Sequence, residues 1–182
     1  MAGEWLSVGV VVVKRASSGP FATHEWQPGT ILPAAPPVAP WTSLGGSAGS
    51  ESFYAGPATL QLHPAETAHY RDNLESPEPR IWVQLRPGPG PEGEERLEVI
   101  GATVDPYEGE AMAEGVGDVV AAFAMPPPIA AEVAAFFAAN HVEREFFKRK
   151  RNRQDPDSLG RGSGFKKAEI ASKIRKNARY KF

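Results

Sequence analysis

Cysteine is missing altogether from this chain of 182 residues. With it go disulfides, thiolate metal sites, cysteine nucleophiles and cysteine-ligated iron–sulfur clusters. Long apolar runs are missing too. The N-terminal stretch M-A-G-E-W-L-S-V-G-V-V-V-V-K-R has only a short apolar core, and its basic pair, Lys14–Arg15, follows that core. A secretory signal has the opposite order and a longer core, and no other segment is long enough to span a bilayer. A cytoplasmic protein that does not engage a membrane is the expectation. Catalytic signatures are lacking as well. No serine is read as sitting in a Gly-x-Ser-x-Gly elbow, and no Gly-x-Gly-x-x-Gly is read as following a strand.

What the chain does have is glycine, proline and a division of charge. The 18 Gly and 18 Pro together make about a fifth of the residues, while apolar residues reach only 41%. Loops are therefore plentiful around a modest core. The net charge of −2 conceals two unlike parts. Residues 1–143 hold six Lys/Arg against 18 Asp/Glu, a net −12, and residues 144–182 hold 14 against four, a net +10. The expected organisation is a globular body over 1–143 and a basic linker and tail over 144–182.

Within the body, Leu6–Arg15 is dense in valine and suits a largely buried strand. The segment T-H-E-W-Q-P-G-T-I-L-P follows, where Pro28 and Pro33 point to an edge strand or a bulge. Pro33–Trp41 reads as an extended structural loop, and Leu44–Ser52 as a flexible Gly/Ser loop. A strand-then-proline-then-helix pattern then occurs three times. Ser52–Leu62 leads to H-P-A-E-T-A-H-Y-R-D-N-L, Arg96–Val104 to D-P-Y-E-G-E-A-M-A-E-G, and Asp118–Ala124 to M-P-P-P-I-A-A-E-V-A-A-F-F-A-A-N. Proline in a first helical turn costs nothing, because its missing N–H would have had no partner there. Asp105 has the side chain of an N-cap. Arg80–Arg86 alternates Ile81, Val83 and Leu85 against Trp82 and Gln84, and Pro87–Glu95 turns it into the next strand. Ile129, Val133, Phe136 and Phe137 form one apolar stripe on the third helix and are read as core. The fold class is therefore α+β, mostly antiparallel sheet with about three proline-started helices and a basic C-terminal tail.

Candidate chemistry is sparse. His63, Glu66 and His69 stand at i, i+3 and i+6, which spreads them over nearly two turns. Zinc-protease helices instead place two histidines at i and i+4. A small metal-dependent enzyme at these residues is thus the weakest of three readings, and a helix start with a surface glutamate and a partly exposed histidine is preferred to it. His24 and Glu25 are strand neighbours and point to opposite faces. G-R-G-S-G near Gly162 follows a linker, not a strand, so it makes no phosphate cradle. No catalytic residue, metal ligand or cofactor is assigned, and the protein is not expected to be an enzyme.

The basic segment carries the remaining readings. Lys148, Arg149, Lys150, Arg151 and Arg153 form one cluster, and Lys166, Lys167, Lys173, Arg175, Lys176 and Arg179 follow it. Phe165, Ile170 and Ile174 recur among them at roughly helical spacing. Such a segment alone cannot offset its ordering entropy, but against an acidic surface it can become an amphipathic helix. Docking on an acidic protein is the first reading. Nucleic-acid binding, with phosphate contacts from the same cations and stacking by Phe165, Tyr180 and Phe182, is the rival.

V-G-V-V-V-V-K-R, H-E-W-Q-P-G-T-I-L-P, L-H-P-A-E-T-A-H-Y-R-D-N-L-E, V-D-P-Y-E-G-E-A, M-P-P-P-I-A-A-E-V-A-A-F and F-F-K-R-K-R-N-R-Q-D-P-D-S-L-G together resemble the proteobacterial domain of unknown function 3305. The resemblance runs from about Val8 to Gly160. It implies a gene neighbourhood of molybdenum- or tungsten-dependent formate dehydrogenases with their ferredoxin-like and maturation partners. It brings no catalytic or binding residue. On it rests the expectation of a non-catalytic accessory, assembly or subunit-like protein, whose acidic partner is a formate dehydrogenase subunit or assembly factor.

Overall fold

The computed structural model describes residues 3–17, 24–90 and 95–143. All of these but Glu143 belong to one unit, Met1–Val142. Its first sheet is antiparallel in the order β2-β1-β4-β3, from β1 (Glu4–Ala16), β2 (His24–Leu32), β3 (Thr42–Ser47) and β4 (Ser50–Leu62). The valine run lies in β1, which is paired on both sides, and Val8, Val10 and Val12 are wholly buried. β2 is an edge strand, and its register slips between Val11 and Val12 of β1, opposite Thr30 and Pro28. The proline expectation for this segment holds.

The second sheet is antiparallel in the order β6-β5-β7, from β5 (Arg80–Pro89), β6 (Glu95–Thr103) and β7 (Val119–Ala124). Ile81, Val83 and Leu85 of β5 are fully buried, each worth about 1.5–3 kcal/mol relative to exposure. β4 runs close to β6 and β2 close to β7. The two sheets thereby share one core with Tyr70 of α1 (Thr67–Leu74) and Ile129, Val133 and Phe136 of α3 (Pro127–Asn140). The opposite face of β5 is covered by α2 (Pro106–Ala113). There Gly109 is buried, and a β-carbon on it would collide with the Trp82 ring. Only a glycine lets this helix lie so close.

All three helices start at proline. Pro64 opens a single 3-10 turn, Pro64–Glu66, that runs into α1. Pro106 is the first residue of α2, and Pro127 and Pro128 begin α3. The α+β architecture is therefore as expected, with three local differences. Leu44–Ser52 is a hairpin, not a loop: Thr42–Ser47 pairs with Ser50–Tyr54, and Gly49 takes a φ of 84° in the turn. β3 is an exposed edge held by backbone pairing, so its side chains carry no alternation to read. β5 also continues through Pro87, Gly88 and Pro89, which pair with Leu97, Arg96 and Glu95. Phe137 is only half-buried and stacks on His141, ring centroids 4.5 Å apart.

Asn73, 4% exposed, joins α1 to the second sheet. Its Nδ2 donates to the carbonyls of Arg80 at 2.8 Å and Val104 at 2.7 Å, and its Oδ1 accepts from the Arg80 N–H at 2.9 Å. Asn73→Ala should lower unfolding free energy by about 2–3 kcal/mol, since it strips partners from buried backbone groups. Urea denaturation measures this, and a loss under about 0.5 kcal/mol would deny the amide that role.

Asp118, just before β7, clamps the sheet from the side. Arg86 reaches its two oxygens at 2.7 and 2.9 Å, and Gln84 Nε2 donates at 2.6 Å. The Arg86 hydrogen bond, foremost, holds the Asp118 carboxyl below its ordinary range. A depressed carboxyl pKa stabilises the fold fully above its unfolded value and ceases to do so as pH falls through the folded one. Wild type should therefore exceed Asp118→Asn in stability at neutral pH, and the gap should close in acid. Melting temperatures of both proteins across that range test it.

Candidate functional site

The densest polar network sits where α1 meets the start of α2. Two short-range rules build it. Strand β6 ends at Thr103, and Asp105 caps α2, its Oδ1 accepting from the N–H groups of Tyr107 at 2.8 Å and Glu108 at 3.4 Å. Glu108, three residues past the cap, belongs to the position that in a capping box reaches back to the cap N–H. Here a threonine relays instead. The Thr103 hydroxyl donates to Glu108 Oε2 at 2.6 Å and accepts from the Asp105 N–H at 3.0 Å.

The second carboxylate oxygen of Asp105 is free for a partner from α1. His69 Nδ1 lies 2.6 Å from Asp105 Oδ2, with the histidine side chain 40% exposed and the aspartate 6%. A carboxylate only accepts, so Nδ1 carries the proton and Nε2 of the neutral ring is left as an acceptor. The Tyr107 ring lies against the imidazole, centroids 4.5 Å apart. A histidine whose tautomer is fixed by a buried carboxylate is a competent proton acceptor. The cleft alongside, about 480 Å3, is lined by His63, Glu66, Asp105 and Glu108 with Gln61 and Met112.

The backbone of His63 and the side chain of Glu66 meet at Tyr70, whereas His69 is turned to Asp105. Glu66 accepts from the Tyr70 hydroxyl at 3.0 Å, and that hydroxyl accepts from the His63 backbone N–H at 2.9 Å. Burial, foremost, pushes the Tyr70 phenol well above its ordinary range. His69 goes to Asp105. Among the described residues no group of three or more His, Asp or Glu is placed to hold a metal ion. His24 and Trp26 share one face of β2, rings 6.3 Å apart, while Glu25 accepts from Gln27 Nε2 at 2.7 Å.

Two segments do carry the spacing of catalytic motifs, and their surroundings remove the chemistry. Gly45-Gly46-Ser47-Ala48-Gly49 has the Gly-x-Ser-x-Gly spacing, but Ser47 ends β3 and the chain returns as β4. The nucleophile elbow requires a strand entering a helix. Contrary to the expectation, a Gly-x-Gly-x-x-Gly does come at the end of a strand: Gly88, Gly90 and Gly93 have the dinucleotide-loop spacing, but β6 comes after them rather than a helix N-terminus.

The expected partner-binding residues, Lys148 to Arg153 and Lys166 to Arg179, lie outside the described residues, as does Gly162. Sequence reading missed the pairing of His69 with Asp105, which are 36 residues apart. The available signal was the D-P-Y cap itself, whose aspartate has one oxygen more than a cap needs. Asp105→Ala should cost about 2 kcal/mol through loss of the cap and the histidine bond together. His69→Ala should cost under about 1 kcal/mol, because its side chain is well exposed. Thermal denaturation of the two variants checks the order, and equal losses would contradict it.

Among the described residues no helix is long and apolar enough to cross a membrane. No curated protein and no solved structure matches the chain. The family described as "Protein of unknown function (DUF3305)" matches residues 7–151, so the match covers both described sheets but for Glu4–Leu6 of β1, the three described helices and the basic residues up to Arg151, but not the segment from there to Gly160. A match over most of the chain settles membership: the protein belongs to the DUF3305 family.

Proposed function

We propose that the protein is a non-catalytic accessory, an assembly or subunit-like partner of a molybdenum- or tungsten-dependent formate dehydrogenase in the cytoplasm. It docks on an acidic surface of that enzyme, or of its assembly factor, through Lys148–Arg153 and the basic residues that follow. The observation that carries this reading is the division of charge, −12 over residues 1–143 and +10 over 144–182. Fourteen cations among 39 residues supply long-range attraction to a negative surface and speed encounter with it. The gene neighbourhood implied by the family resemblance supplies the identity of that surface.

Affinity capture from the native host, with full-length protein and a form ending at Glu143, before the basic segment, tests the proposal. A formate dehydrogenase or its assembly proteins should be retained by the full-length bait and lost from the shortened one. Recovery of RNA or DNA, with every protein partner removed by nuclease, would assign the basic segment to nucleic acid instead.

A further inference from the structure

A second cavity, of about 650 Å3, lies on the other side of Tyr107 from the cleft lined by Asp105, between the end of α1, the loop after it and the start of α2. Small-ligand sites run from about 300 to 1,000 Å3 and combine apolar walls with a few polar groups. Trp82 and Tyr107 line this one, together with Asp72, Glu78, Glu110 and Arg80. Arg80 does not offset the acids, because its guanidinium is already bound to Glu78 at 2.7 Å. Asp72 and Glu110 are left as the net charge. Asp72 has only long contacts in the described structure, with Arg71 at 3.9 Å and the Tyr107 hydroxyl at 3.5 Å.

Three features converge on one ligand class. Two aromatic rings offer faces of negative potential to a cation. Both rings are positioned from outside the cavity, Tyr107 by His69 and Trp82 by the backbone of Gly109. Ser76, also in the lining, keeps a buried hydroxyl oxygen with no hydrogen-bond partner. An inorganic divalent ion would want six or more oxygens and gains little from indole. An anion would meet the carboxylates. An ammonium group on an aliphatic stem satisfies both the rings and the acids.

We infer that this cavity is a binding site for a small aliphatic amine, its ammonium group facing Asp72 and Glu110 and its stem lying against Trp82 and Tyr107. The site does not depend on the basic segment, so this inference and the docking proposal stand or fall separately.

The test is a titration of the full chain with hexylamine, spermidine and N-acetyl-lysine amide, followed through the Trp82 indole N–H signal by NMR, with hexanol as the uncharged control. The amines should shift that signal saturably with a Kd of about 1 mM or tighter, and added salt should weaken them. Glu110→Gln and Asp72→Asn, both at exposed positions, should each weaken binding about threefold to tenfold with unchanged circular dichroism. An unmoved Trp82 signal, or equal responses to hexylamine and hexanol, would overturn the assignment. So would a response only to N-acetyl-lysine amide, which would make the cavity a receptor for a protein side chain.

Discussion

A buried primary amide holds this molecule in register. Asn73 meets the backbone at the beginning of β5 and at Val104, just past the end of β6, with three hydrogen bonds of 2.7–2.9 Å. Strand ends buried under a helix leave peptide groups that water cannot reach, and each must find a partner or lower the stability. An apolar residue at this place would pack but leave those groups orphaned. The amide alone offers both donors and an acceptor at the required spacing. Because it fixes α1 over the junction of β6 and α2, it also places His69 against Asp105 and Asp72 near Tyr107. The cleft lined by Asp105 and the cavity lined by Trp82 both descend from that one attachment.

Proline shows where sheet pairing stops. β1 has neighbours on both sides through most of its length and contains no proline. Pro28 lies in the edge strand β2. Pro57 sits in β4 beyond Tyr54, the last residue of that strand paired with β3. Pro87 and Pro89 lie in β5 beyond Leu85, where its pairing with β7 has ended. Each occupies a stretch with one hydrogen-bonded neighbour, where the absent N–H can face away from the ladder. The same missing donor, moved to a first helical turn, starts α2 and α3. One chemical property of one residue type thus accounts for much of the outline of the fold.

That regularity explains which parts could be read in advance. Helix starts follow from local chemistry, so the proline–aspartate entry at Asp105 was legible, and so was the alternation of Ile81, Val83 and Leu85, which reports a buried face directly. β3 was not legible. Its Thr42–Ser47 segment is exposed along its length and stabilised by backbone pairing, which leaves no trace in residue type. The extension of β5 through P-G-P escaped for a related reason, because a strand with one neighbour tolerates residues that normally signal a turn. The polar network was legible only in halves. Thr103, Asp105 and Glu108 are near in sequence and obey capping rules, whereas His69 arrives from another helix, and only tertiary structure brings it there.

The acidity of the body also changes meaning once its carboxylates are placed. A formal −12 over residues 1–143 describes a uniform attractor for cations. The 18 carboxylates behind that figure are not alike: Asp118 is forked by Arg86 and Glu78 is paired with Arg80, two of the six cations already subtracted, while Asp105 caps α2 and holds His69 and Glu108 receives Thr103. A carboxylate paired with a guanidinium has its field largely cancelled at short range, one held by neutral donors keeps its charge but is fixed in direction, and beyond about 8–10 Å salt screens both. What a small cation meets is therefore set by the carboxylates without a close partner and by the surfaces beside them. Asp72 and Glu110 stand next to two aromatic rings in a concave wall, where lower effective dielectric strengthens each charge. Selectivity for a cation on this protein is a property of that wall and not of its net charge.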